Sequence, residues 1–244
     1  MGEAVLEAQG LRKSFKSVEA VRRIDVVVRR GERVGLLGPN GAGKTTTLLM
    51  LLGAITPDAG TIQIDGFKLP RQRSKAMTKV GFAAGYLPMP DRLKVREALT
   101  VFAGWYGLRR PQVAVDAALE RFGISELADR LSSRLSSGQR TLVGIVRATL
   151  HEPSLLVLDE PTASLDPDIA LKVRIALLAY CESTGAALLV TSHDMREVEV
   201  LTERVMFLAR GEVVANDTAA IVASTYGHDN LEDVFLSLAE MHGR

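Results

Sequence analysis

The chain of 244 residues holds a single cysteine, Cys181, so no disulfide can form within it, which fits a reducing compartment. Cys181 lies in the apolar run LLAYCE with no basic neighbour to stabilise a thiolate, and reads as a small core residue. Long apolar stretches are lacking too. LLMLLGAI falls well short of the roughly 18–20 residues that span a bilayer, so the chain is not expected to cross a membrane by itself. The opening MGEAVLEAQGLRKSF has no signal-peptide core, and Leu6 stands where myristoylation of Gly2 needs Ser or Thr. Charge is nearly balanced at +1, which argues against a strong field for nucleic acid or acidic lipid. Internal repeats, low-complexity tracts and heptads are absent from the sequence. What remains, 47% hydrophobic and 24% charged, is an ordinary globular composition long enough for one large domain or one with an inserted subdomain.

Short apolar runs alternate with helical periods. Residues 4–8, 24–29, 33–37 and 61–66 read as strands, with helices over about 44–52 and 74–80. VGFAAGYLPMPDRL is rich in Gly and Pro and reads as mostly loop. Helical spacing then runs uninterrupted through Val95, Ala98, Leu99 and Phe102 to Val113, Ala117 and Phe122, so roughly 89–135 reads as a helical insertion in an α/β body. Further on come a helix over 140–150, the strand SLLVLDE, a helix over about 167–182, the strand AALLVTS, a short helix MREVEVLT, a hairpin turning at Arg210–Gly211, and a helical tail over about 218–241. Apolar strands alternating with helices imply a mostly parallel sheet buried on both faces.

Three segments carry chemistry. Gly38-Pro39-Asn40-Gly41-Ala42-Gly43-Lys44-Thr45 fits the phosphate-binding pattern G-x-x-x-x-G-K-[ST], set between a strand and a helix, with Thr46 following. There the free amides of a helix start converge and the helix dipole favours an anion. The glycines let the backbone curl close, Lys44 can reach the outer phosphates, and the Thr45 hydroxyl can hold Mg²⁺. LLVLDE delivers Asp159 and Glu160 to the carboxyl edge of a buried strand, suited to holding Mg²⁺ and to polarising a water. AALLVTSHD ends a second such strand on His193.

With Leu135-Ser136-Ser137-Gly138-Gln139 the chain resembles the nucleotide-binding subunit of the ATP-binding cassette (ABC) transporters. That stretch is similar to the family signature LSGGQ, with Ser137 at the first glycine, and the other marks follow in family order over essentially the whole chain. The resemblance implies a P-loop NTPase core with a mostly parallel sheet, an N-terminal antiparallel β section and an inserted helical subdomain. It implies one such domain over 1–244, with the core in about 1–88 and 151–244 and the helical subdomain, signature included, in about 89–150. It implies ATP and Mg²⁺ as ligands, Phe15 against adenine, and residues 38–46 around the phosphates. Thr45 and Asp159 would sit on the metal, with Glu160, His193 and Lys44 as the catalytic set. EPTASLD supplies the D-loop, Ser164, Leu165 and Asp166. Two subunits would face head to tail, Leu135–Gln139 of one closing on the nucleotide of the other, as a homodimer or with a second ABC subunit.

The partner implied is a separate integral membrane permease, which places the chain in the cytoplasm, peripheral on the inner face of the membrane; nucleic acid is not expected. LKVREALTVFAGWYGL, the early end after one cassette and the tail LEDVFLSLAE resemble the branch with ABC-2 type permeases, which are exporters. Trp105 and Tyr106 can equally be plain subdomain core, and core is the stronger expectation. The family's Q-loop glutamine is missing: that position falls on Gly85, or on Met89 if the loop is shorter, and neither can ligate a metal as glutamine does. Metal contact or coupling there is then expected to be weaker or supplied otherwise. The alternative to a transport motor is an ABC ATPase acting on ribosomes or DNA, which single-cassette length and neutral charge disfavour. His151, His228 and His242 earn no role from their spacing.

Overall fold

The computed structural model describes residues 2–84, 89–163 and 165–242. Two long strands open it, β1 (Ala4–Phe15) and β2 (Val18–Arg29), paired antiparallel. The first strand is longer than the 4–8 expected from the sequence. Gly10, at φ +60°, sits in a register shift between Ala8 and Leu11, so the strand bulges and continues. There follow β3 (Arg33–Leu37), α1 (Lys44–Leu51), β4 (Ala59–Ile64), β5 (Phe67–Leu69), α2 (Arg73–Met77) and β6 (Val80–Ala84). The helical stretch comprises α3 (Val95–Trp105), α4 (Pro111–Arg121), two short 3-10 turns (Ser125–Leu127, Ser132–Arg134) and α5 (Ser137–Thr149). The chain then returns through β7 (Leu155–Asp159), α6 (Pro167–Thr184), β8 (Ala187–Thr191) and α7 (Met195–Leu201). It closes with β9 (Arg204–Ala209), β10 (Glu212–Asp217), α8 (Ala219–Thr225) and α9 (Leu231–His242).

The described strands form one sheet in the order β5-β4-β1-β2-β10-β9-β3-β8-β7-β6. Strands β9, β3, β8, β7 and β6 run parallel, while β5, β4, β1 and β2 form the antiparallel section. The two parts meet where β10 pairs with β2 at Glu212 and Arg23. Strand β7 shows why the parallel strands read as unbroken apolar runs. Leu155 and Val157 enter the core shared with β1, β2 and α1, while Leu156 and Leu158 enter the core shared with α3–α6. Both faces are buried, so alternation carries no polar half.

Three expectations need correction. VGFAA is not loop: it is β6, pairing with β7 from Val80 to Ala84. Its glycine marks close packing, since a Cβ on Gly81 would lie 2.1 Å from the Ala148 carbonyl oxygen, so the backbone of α5 lies against the strand. Helix α5 starts at Ser137 rather than Arg140, which puts Ser137, Gly138 and Gln139 in its first turn and Ser136 at its N-cap. Trp105 is not core: it is 75% exposed, meeting Phe102 edge-on at 5.1 Å, whereas Tyr106 is half-buried and stacks on His151 at 4.1 Å. Cys181 is buried as expected, and burial pushes its thiol up to about 11.

Candidate active site

The central strand β3 ends at Leu37, and the loop 38–43 leads into α1, whose N-cap is Gly43 with no side chain capping it. The first helical amides are therefore left for an outside acceptor. Two glycines are obligatory on steric grounds. Gly38 is at φ +143°, and its Cβ would lie 2.2 Å from the Leu208 carbonyl oxygen. Gly43 is at φ +101°, and its Cβ would lie 2.6 Å from the Ala20 carbonyl oxygen. The loop is thus wedged against β2 and β9 behind it. Ala42 is buried beneath, its carbonyl accepting from the Gly211 amide.

In front of the loop lies an open cavity of about 500 Å³, a size that suits a nucleotide. Asn40, Gly41, Gly43, Lys44, Thr45 and Thr46 form one wall, and Asp159 and Glu160 face them from the end of β7. Sequence reasoning missed the rest of the lining: Val18, Glu19, Ala20 and Arg22 from the start of β2, and Arg210 from the β9–β10 turn. The β1–β2 pairing of Phe15 with Val18 could have signalled them, because it brings the start of β2 beside Phe15. Phe15 itself is 44% exposed at the end of β1, with the Lys13 ammonium 5.6 Å from its ring centroid, and does not line the cavity.

Lys44 is half-buried, its Nζ donating to the carbonyls of Gly38 (2.6 Å) and Pro39 (3.2 Å). Burial lowers its pKa, against the opposing pull of Glu160 and Asp159. An incoming phosphate would strengthen that pull. Across the cavity the Thr191 hydroxyl donates to Asp159 Oδ1 at 2.6 Å. The Glu160 amide donates to the Thr191 carbonyl and hydroxyl, both at 3.1 Å. Glu160 adopts a left-handed backbone (φ 52°), uncommon for a residue with a Cβ, which ends the strand and turns the carboxylate into the cavity. His193 Nε2 meets Glu160 Oε1 at 2.6 Å.

The residues present fit ATP and a hard cation. A glycine-walled cradle, a helix start and a lysine suit the phosphates, and the Thr45 hydroxyl and Asp159 carboxylate, both on the cavity wall, are the oxygen donors Mg²⁺ prefers. The signature does not border this cavity. Ser136 caps α5 instead, its Oγ accepting from the Gln139 amide (3.2 Å) while Gln139 Oε1 accepts from the Ser136 amide (3.1 Å). Leu135 is buried beneath, Ser136 and Ser137 are exposed, and Gly138 and Gln139 are partly so. A second anion-facing helix start is thereby presented outward. Leu165 packs against the helical core and Asp166 stands at the N-cap of α6; Ser164 lies outside the described residues. Met89 is buried in that core, its side chain among apolar neighbours; Gly85 lies outside the described residues.

A phosphate cradle at the carboxyl edge of a parallel sheet, facing a carboxylate pair with a histidine behind it, defines a P-loop nucleotide hydrolase. The family model described as ABC transporter matches residues 21–163, and the chain belongs to this family. It is 37% identical over 235 residues to the Nod factor export ATP-binding protein I of Paraburkholderia xenovorans, covering 95% of this chain and 77% of that protein. It is 32% identical to the linearmycin resistance ATP-binding protein LnrL of Bacillus subtilis, covering 96% and 75%. Among solved structures, an ATP-binding subunit of an ABC transporter superposes with a TM-score of 0.87 at 26% identity, over 96% of this chain and 99% of that one. The chain is accordingly an ABC ATPase with the mixed sheet of that fold.

Proposed function

We propose that the chain is the ATP-hydrolysing motor of an exporter whose membrane path is a separate permease. Hydrolysis rests above all on one observation, the 2.6 Å contact of His193 with a Glu160 that lines the phosphate cavity. Lys44 and the amides of residues 41–46 hold the β- and γ-phosphates, Phe15 flanks the adenine, and Thr45 and Asp159 hold Mg²⁺. That ion, when bound, neutralises phosphate charge. Glu160 accepts the proton of the attacking water, and His193 fixes the carboxylate and reaches the γ-phosphate. Leu135–Gln139 of a second ABC copy, identical or related, closes the cavity. ATP then favours the closed pair and hydrolysis releases it.

Export is supported by what the relatives are called: Nod factor export, and resistance to linearmycin. No described helix is long and apolar enough to cross a membrane, which agrees with a borrowed permease at the inner face of the membrane. Trp105 at 75%, Val101 at 41% and Tyr106 at 38% exposure, in the second half of α3 and just past it, are the docking face we assign to it. In keeping with the missing Q-loop glutamine, coupling there runs through these apolar side chains rather than a metal contact. Recovery of the tagged chain from membranes tests this: an integral membrane protein should co-purify and be lost in Trp105→Glu, and recovery free of any integral partner contradicts it.

A further inference from the structure

One buried carboxylate stands outside the roles above. Glu197, in the first turn of α7, is 0% exposed. Its Oε1 accepts from the Thr162 hydroxyl at 2.5 Å and its Oε2 from the Ser192 hydroxyl at 2.5 Å. Ser192 Oγ in turn accepts from the Asp194 amide at 3.0 Å, and Asp194 caps α7 through the amides of Arg196 and Glu197. Thr162 lies two residues beyond Glu160, in a turn whose Ala163 amide donates to the Glu160 carbonyl at 3.4 Å. Ser192 directly precedes His193.

We infer that Glu197 is a positioning residue for hydrolysis: one carboxylate ties the turn that carries Glu160 to the turn that carries His193, and so sets the distance between them. The Thr191 hydroxyl, donating to Asp159 and accepting from the Glu160 amide, joins the ends of β7 and β8 on the strand side of the pair. The Glu197 bridge joins them on the helix side, so Glu160 and His193 sit between two cross-links. Strand pairing alone would end at Asp159 and Thr191, the last partners of that ladder, leaving both catalytic side chains on free loop ends. Burial and Asp194 push the Glu197 pKa up while the two hydroxyls and Arg174 pull it down, so the bridge supplies the donors that a buried carboxylate requires.

The inference deepens the assignment of Glu160 and His193 and rests on it. Purified protein is assayed for ATP turnover, with a nucleotide-binding titration and a thermal melt on each variant. Thr162→Val, nearly the same shape without the donor, and Glu197→Ala should each lower kcat by about 10- to 100-fold while KM for ATP stays within about twofold, since a catalytic group misplaced by about 1 Å costs that much. Glu197→Gln, whose carboxamide accepts from Thr162 and donates to Ser192, should recover to within about fivefold of the parent. If Glu197→Ala fails to melt cooperatively, Thr162→Val decides. A parent-like kcat in a folded Thr162→Val, or Glu197→Gln as slow as Glu197→Ala, overturns the inference. Glu160→Gln run alongside separates the two claims: parent-like turnover there sinks the base assignment itself, whereas a dead Glu160→Gln beside an unaffected Thr162→Val sinks only the bridge.

Discussion

Replacing Gly43 by alanine tests whether the cradle is built by backbone that tolerates no side chain. The new Cβ would sit 2.6 Å from the Ala20 carbonyl oxygen and 3.4 Å from Val21 Cγ2. The first contact is about 1 Å inside the roughly 3.5 Å at which non-bonded heavy atoms are at ease. It meets backbone in the middle of the sheet, which cannot swing away as a side-chain tip could. Gly43 also sits at φ +101°, and holding alanine in such a region costs on the order of 1–3 kcal/mol. The loop must move forward, into the cavity. A displacement of ~1 Å in a phosphate-binding backbone should weaken binding by about 10- to 100-fold, or ~1.4–2.8 kcal/mol. Gly41→Ala is the control, because at φ +82° it has strain but nothing within 4 Å of the added carbon, and so loses less. A fluorescent ATP analogue titrated into both variants, with melts to verify folding, reads the difference. Parent-like affinity in a folded Gly43→Ala, or an equal loss in both, would refute the steric argument.

Three further outcomes follow from the same geometry. Gly81→Ala should destabilise the fold by about 1–3 kcal/mol or more, read by urea unfolding, because its Cβ would lie 2.1 Å from the Ala148 carbonyl oxygen. Ser136→Ala removes the cap of α5 and should cost about 1 kcal/mol, a fall of roughly 2–4 °C in Tm for a chain of this size. His151, stacked on Tyr106 and bonded to the Val80 carbonyl, has its pKa lowered by burial below the ordinary 6.5. The unfolded chain then binds the proton first, so stability should fall as pH drops below 6.5 and level off beneath the lowered folded value. His151→Phe should flatten that limb in urea midpoints taken from pH 8 to pH 5, and an unchanged slope would remove His151 from the account.

The parts of the site that were legible are the ones whose chemistry is contiguous in sequence. Residues 38–46 need consecutive glycines and a lysine at one helix start, and Asp159, Glu160 and His193 each follow an apolar strand directly. What was illegible depends on contacts between distant segments. Gly81 reads as loop punctuation until α5 is seen lying against it, and the start of β2, which lies ahead of the strand read at 24–29, carries no local sign that it braces Gly43 from behind. Glu197 looks like one more charge in MREVEVLT, because nothing local says that Thr162, far earlier in the chain, will stand over it. Trp105 erred the other way: helical spacing put an aromatic in the core, whereas the end of α3 turns it outward.

The central claim is that this chain supplies half of a composite ATP site, the cradle at 38–46, and offers the exposed cap at 136–139 to another copy. Light scattering on Glu160→Gln, with and without ATP and Mg²⁺, tests it most directly. The account predicts monomer without nucleotide, a stable dimer with ATP, return to monomer with ADP, and loss of the dimer when Ser137→Glu places a carboxylate at the closing cap. A Glu160→Gln protein that binds ATP and stays monomeric, or a dimer that persists with Ser137→Glu, would contradict it.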